Sequence, residues 1–151
     1  MKNLPISSKK YFVANNVVIL RLGDQLDADK YERLFKMLRE DGVVFRGPRI
    51  LWCKTVVEDN LLVIQKFAVL NCNKTPSFDH PDIRFEEKLR IGPCIYSKIK
   101  CMPNQTPVVY NKISVFAFEN DIKLKDETIS VYLKESDTEI EMDAFVPIDV
   151  K

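Results

Sequence analysis

Tyr31, Leu34, Phe35 and Leu38 recur at i, i+3, i+4 and i+7 with polar residues between them, the apolar stripe of an amphipathic helix. Asp27 offers its N-cap and Gly42 its C-terminal stop. Ahead of it, residues 1–10 read as a polar arm, Tyr11 to Asn16 as a lead-in, and Val17 to Leu22 as a strand. Behind it, segments 49–56 and 61–70 are rich in Val, Ile and Leu, and the acidic turn Val57-Glu-Asp-Asn60 separates them as two strands. Asn, Thr, Ser, Asp and two prolines then mark residues 71–84 as a linker. Beyond it, Phe85 to Ile91 reads as extended and Cys94 to Cys101 as a strand. Thr106-Pro107 caps a helix carrying Val109, Ile113, Phe116 and Ala117, and strands at 128–134 and 138–147 complete the chain. The β-branched residues Val108, Val109, Ile113 and Val115 leave a strand reading open for that second helix.

The same element order thus occurs twice. Thr138 to Ile148 reads as a copy of Asn60 to Leu70, with Phe145 falling on Phe67. Small changes of offset place Trp52 on Tyr132, Lys54 on Lys134, Tyr31 on Tyr110, Leu34 on Ile113 and Arg21 on Lys98. The period is too long for a solenoid unit and implies a duplicated half-domain. The expected fold is α+β: two strand-helix-strand-strand halves, 11–70 and 85–149, related by pseudo-twofold symmetry. They form one domain spanning 1–151, an antiparallel sheet with both helices on one face.

Period-two alternation then sorts the strand residues between the faces. Leu51, Cys53, Leu62, Ile64, Val131, Leu133, Ile140, Met142 and Ala144 are expected under the helices. Trp52, Gln65, Phe67, Tyr96, Tyr132, Asp143 and Phe145, with Ile19, Arg21 and Lys98, are expected on the opposite face. Large aromatics with a few polar groups suit a ligand groove between the halves, where aromatic area provides affinity and polar groups fix orientation. The first seven of these residues are the candidate ligand-binding set. Tyr31 and Tyr110 belong to helical stripes and are expected in the core.

Composition narrows the function. The chain has 151 residues, 46% of them hydrophobic, and a formal net charge of +1. That is enough for one compact core, and it offers no charge excess to draw nucleic acid or an anionic membrane. Lys9, Lys10, Arg46 and Arg49 are too dispersed for a nucleic-acid site. No apolar run reaches membrane-spanning length, the N-terminus lacks a signal-peptide core, and no DNA-binding segment precedes the module, so a stand-alone cytoplasmic protein is expected. Cys53, Cys72, Cys94 and Cys101 form no CxxC pair, and the single histidine, His80, lies before a proline as a turn residue. No metal or cofactor is expected. GxSxG, P-loop, GxGxxG and HExxH motifs are absent, and the protein is expected not to be an enzyme.

With these elements in order, the chain resembles the bacterial GyrI-like effector-binding domains across nearly all of residues 12–149. In that family the closing strand often carries an acidic residue, three mostly apolar residues and a Pro-Val or similar pair. Asp143-Ala-Phe-Val-Pro147-Ile148 has that form, whereas Gln65-Lys-Phe-Ala-Val69-Leu70 replaces both the acid and the proline. The resemblance implies a small-molecule module with a ligand cleft between two pseudo-symmetric halves. The family's acid, usually glutamate, is credited with drawing in cationic drugs. Asp143 is one methylene shorter and Gln65 is neutral, and Arg21 and Lys98 on the same face weigh against a broad receptor for lipophilic cations. A few members hydrolyse small electrophiles, a chemistry for which Glu141 or Asp143 with Tyr96 would be base and orienter. The alternative expectation is a protein-binding accessory or adaptor factor, as in a secreted-toxin locus, that keeps the fold without a ligand.

Overall fold

A computed structural model describes residues 6–23 and 28–150. The expected cap Asp27 lies outside them. The fold is α+β with antiparallel strand pairing, and the chain divides into two compact units.

The unit Val13–Leu89 contains the later part of β1 (Ile6–Gly23), then α1 (Ala28–Glu40), β2 (Phe45–Glu58) and β3 (Leu61–Cys72). Strand β3 lies between β1 and β2, antiparallel to both. The β2–β3 turn consists of Asp59 and Asn60 at φ 49° and 65°, the left-handed pair that suits a two-residue hairpin and that Asn and Asp tolerate best among non-glycine residues. Helix α1 ends in a Schellman arrangement. The Val43 amide donates to Leu38 O and the Gly42 amide to Arg39 O, both at 3.0 Å, with Gly42 at φ +83°. Leu34 and Leu38 are buried with Val18, Leu20, Leu22, Val43, Ala68 and Leu70, and Tyr31 and Phe35 pack at the margin of that core. Beyond β3, Ser77 donates its amide to Asp41 Oδ2 at 2.9 Å and Asn73 Oδ1 accepts the Val44 amide at 2.8 Å, fastening the linker to the end of α1.

The other unit combines β1 up to Phe12 with the chain from Arg90 onward. It holds the body of β4 (Ile83–Cys101), α2 (Thr106–Glu119), β5 (Glu127–Glu135) and β6 (Ile140–Pro147). Strand β6 lies between β4 and β5. Val109, Ile113 and Ala117 of α2 bury against Ile95, Ile99, Ile140, Met142, Ala144 and Val146, so tertiary burial overrides the strand propensity of the β-branched residues.

Several expectations are corrected. Residues 6–10 belong to β1 rather than to a polar arm, and the extended segment 85–91 and the strand 94–101 are one strand, β4. The cap of α2 is Gln105, which places Pro107 in the second helical position rather than the first. The faces of β5 are the reverse of those expected, because Val131 pairs with Asp143 and Tyr132 with Met142 of the helix-side core. Leu133 falls at a register shift between Tyr132 and Lys134 and is exposed. On β3, Leu62 is 79% exposed and Ile64 50%; the buried core extends only as far along that strand as Ala68 and Leu70.

Candidate functional site

In the unit that carries β4 and β6, register decides what meets. Tyr96 lies opposite Phe145 and Lys98 opposite Asp143; Tyr96 and Asp143 are therefore diagonal neighbours on one face, within reach of a long side chain. The Tyr96 hydroxyl donates to Asp143 Oδ1 at 2.7 Å. The Tyr96 and Phe145 rings lie 4.9 Å apart, and Phe12 of β1 meets Phe145 edge-on at 5.5 Å. Lys10, two residues before Phe12, sets its Nζ 3.9 Å from the Tyr96 ring centroid, well inside cation–π range. Burial, with the hydrogen bond to Asp143 and that carboxylate's charge, pushes the Tyr96 hydroxyl up to about 12. At neutral pH it is a fixed donor.

In the unit Val13–Leu89 a parallel arrangement is built from β1, β2 and β3. Trp52 and Arg21 both lie opposite Phe67, and Lys54 lies opposite Gln65. The Trp52 and Phe67 rings are 5.2 Å apart. Lys54 Nζ lies 4.8 Å from the Trp52 ring and 5.4 Å from the Phe67 ring. Gln65 donates from Nε2 to Glu58 Oε1 at 2.8 Å, and Arg21 pairs with the same oxygen at 3.3 Å. The two platforms therefore share a plan: an aromatic pair under a lysine ammonium, with one carboxylate nearby already holding a donor.

Six of the seven candidate residues take their expected face. Trp52, Gln65 and Phe67 assemble in one unit, and Tyr96, Asp143 and Phe145 in the other. Tyr132 does not join them, since its ring packs on the core beneath α2. Sequence reasoning missed Lys10, Phe12, Lys54 and Glu58 as platform residues. Lys54 has a signal in its position two residues after Trp52 on the same strand face; Lys10 and Phe12 have none when residues 1–10 read as an arm and Tyr11 to Asn16 as a lead-in. Trp52 and Phe145 are well covered, at 7% and 6% exposed, whereas Phe67 and Tyr96 are half-buried.

The unit Val13–Leu89 also has a cavity of about 340 Å³ on its helix side, lined by Leu22, Tyr31, Glu32, Arg49, Leu51 and Leu70 among others. Burial pushes the Tyr31 hydroxyl up, opposed by the charge of Arg49. This space lies across the sheet from Trp52 and Phe67, and none of the candidate residues lines it. His80 accepts the Asp82 amide at Nδ1, 3.0 Å away, as a turn residue. The four cysteines are thiols rather than disulfides, and burial pushes Cys94 up to about 11. Among the described residues no group of three or more His, Cys, Asp or Glu side chains could hold a metal ion, and no helix is long and apolar enough to cross a membrane.

No protein-family model and no curated protein sequence matches the chain. Solved structures do. EcmrR, in its complex with DNA, superposes with a TM-score of 0.63 at 12% identity over 99% of this chain and 58% of that one. A hydrolase from Listeria innocua superposes with a TM-score of 0.59 at 10% identity over 94% of this chain and 93% of its own. SAV2435, solved with tetraphenylphosphonium bound, gives a TM-score of 0.51 at 7% identity over 97% of this chain and 94% of its own. At such low identities these likenesses establish a shared fold, consistent with the GyrI-like architecture.

Proposed function

We propose that this protein is a divergent GyrI-like effector-binding module, built from duplicated strand-helix-strand-strand halves, that binds a small aromatic or amphipathic molecule without turning it over. One observation carries the reading: the Tyr96 hydroxyl is held on Asp143 beside the Phe145 ring, an apolar surface with a single oriented polar pair. Small-molecule sites combine these two elements. The likeness to SAV2435 bound to tetraphenylphosphonium supports it, because a small aromatic molecule occupies a protein of this fold. Trp52, Gln65, Phe67, Tyr96, Asp143 and Phe145 are the residues proposed to contact the ligand.

A fluorescence titration against aromatic and amphipathic compounds tests the reading, since Trp52 is the only tryptophan. Saturable quenching with the compound recovered intact supports binding without turnover. Consumption of an electrophilic ester, abolished in Tyr96→Phe, would replace the proposal with the hydrolytic use of the Tyr96–Asp143 pair that the Listeria hydrolase brings into view.

A second reading, a protein-binding accessory factor, is favoured by exposed apolar side chains: Val115 and Phe118 on α2, and Val57, Leu61 and Leu62 around the β2–β3 turn. If no compound binds below about 1 mM while a neighbouring-gene product co-purifies stably, this reading replaces the first.

A further inference from the structure

We propose that the aromatic platforms select anionic aromatic ligands, with Lys10 and Lys54 already standing where a ligand cation would have to go. This rests on the binding function above and names its ligand class. A cation gains most from an aromatic ring when it sits over the face, within about 6 Å of the centroid. Lys10 Nζ holds that place on Tyr96 at 3.9 Å, and Lys54 Nζ holds it on Trp52 at 4.8 Å and on Phe67 at 5.4 Å.

The carboxylates that could attract a cation are already engaged. Asp143 accepts a hydrogen bond from the Tyr96 hydroxyl and has Lys98 as its cross-strand partner. Glu58 accepts from Gln65 and pairs with Arg21. Gln65, cross-strand neighbour of Lys54, contributes no charge. Beside the Trp52 and Phe67 rings stand Lys54, Arg21 and Glu58; nearest Tyr96 stand Lys10, Lys98 and Asp143, and farther along that face Lys100 and Glu141 oppose each other across the ladder. In each unit the charges nearest the rings leave one net positive charge.

An approaching cation would have to displace a lysine ammonium from the ring and then tolerate it as a like-charged neighbour a few ångströms away, which opposes its binding even beside solvent. An aromatic anion meets the opposite situation. The lysine stem is long and rotates freely, so its ammonium can swing aside, let the ligand ring stack on the half-buried Phe67 or Tyr96, and remain as the counter-charge of the ligand. The loss of one cation–π contact is offset by a charge pair and a new ring stack.

Tetraphenylborate and tetraphenylphosphonium test this directly, because they match in shape and apolar area and differ in the sign of their charge. Calorimetric titration of the whole protein should show tetraphenylborate binding at least about tenfold more tightly. Lys54→Met and Lys10→Met keep the apolar stem and remove the charge. Each should reduce that ratio by about threefold or more and the double variant further, with thermal unfolding confirming that the variants stay folded. If the phosphonium binds as tightly as the borate or more so, the anion assignment falls while small-molecule binding stands. A preference for borate that survives in the double variant also overturns it, showing an apolar effect without the lysines. If neither ion binds below about 1 mM, the binding function fails together with its ligand class.

Discussion

The Tyr96 hydroxyl donates to Asp143 across the β4–β6 ladder at 2.7 Å, and this diagonal contact couples a half-buried aromatic ring to a carboxylate. Burial first, and then the hydrogen bond and charge of Asp143, raise the hydroxyl from an ordinary 10.0 to about 12. A raised folded-state value means that the folded protein holds this proton where the unfolded chain has released it. The stabilisation is complete below pH 10 and is lost as pH rises from about 10 to about 12. Tyrosinate absorbance, compared with that of Tyr96→Phe, should show Tyr96 among the late-ionising tyrosines, with Tyr31 also displaced upward. In Asp143→Asn the ionisation of Tyr96 should move down only part of the way, because burial, the larger cause, remains. A Tyr96 that titrates like a free tyrosine would break this account.

Trp52 and Tyr132 should behave differently although both are strand aromatics. Trp52 faces Phe67 on a platform and Tyr132 packs beneath α2. Tyr132→Ala should lower stability by roughly 1–3 kcal/mol and leave ligand affinity unchanged. Phe67→Ala should weaken binding. Denaturant unfolding and calorimetric titration of the two variants together decide the matter, and an affinity loss in Tyr132→Ala would return that residue to the site.

Leu34 and Leu38 are buried on the inner face of α1, while Phe35 sits at the margin. Leu38→Ala should cost about 2–5 kcal/mol in chemical denaturation, Leu34→Ala a similar amount and Phe35→Leu less. Losses under about 1 kcal/mol at both leucines would place that face in solvent.

Gly92 has φ +152°, and a Cβ there would lie 2.7 Å from the Tyr11 ring and 3.2 Å from Lys10 O. Gly92→Ala should destabilise by roughly 1–3 kcal/mol. Because it presses on the strand that carries Lys10, it should also alter tetraphenylborate affinity, which the same titration measures.

Leu62 and Phe118 are 79% and 84% exposed. Leu62→Ser and Phe118→Ser should change stability by less than about 0.5 kcal/mol. Loss of a co-purifying protein in these folded variants would identify its docking surface.

Much of this architecture is local and therefore readable in one dimension. The stripe Tyr31, Leu34, Phe35 and Leu38 and the stop at Gly42 specify α1, because helix periodicity and a left-handed terminus are properties of a few consecutive residues. Asp59-Asn60 specifies a hairpin for the same reason. Pairing across strands is not local. The residue opposite Phe67 in β2 is Trp52, and the one opposite Phe145 in β5 is Ile129, so the ladders set Trp52 beside Ile129 and not beside Tyr132, the residue an expected repeat pairs with it. An odd slip reverses every side chain on a strand, so Tyr132 takes the face under α2 and Val131 the face of Asp143. Between Arg21 and Tyr96, which lie opposite the same two phenylalanines, the slip was even, and the assigned faces survived. Lys10 reached the Tyr96 ring only because β1 starts at Ile6. A strand that early is stabilised by pairing and packing with residues distant in sequence, and the polar stretch Ser7-Ser-Lys-Lys10 carries no apolar period to announce it.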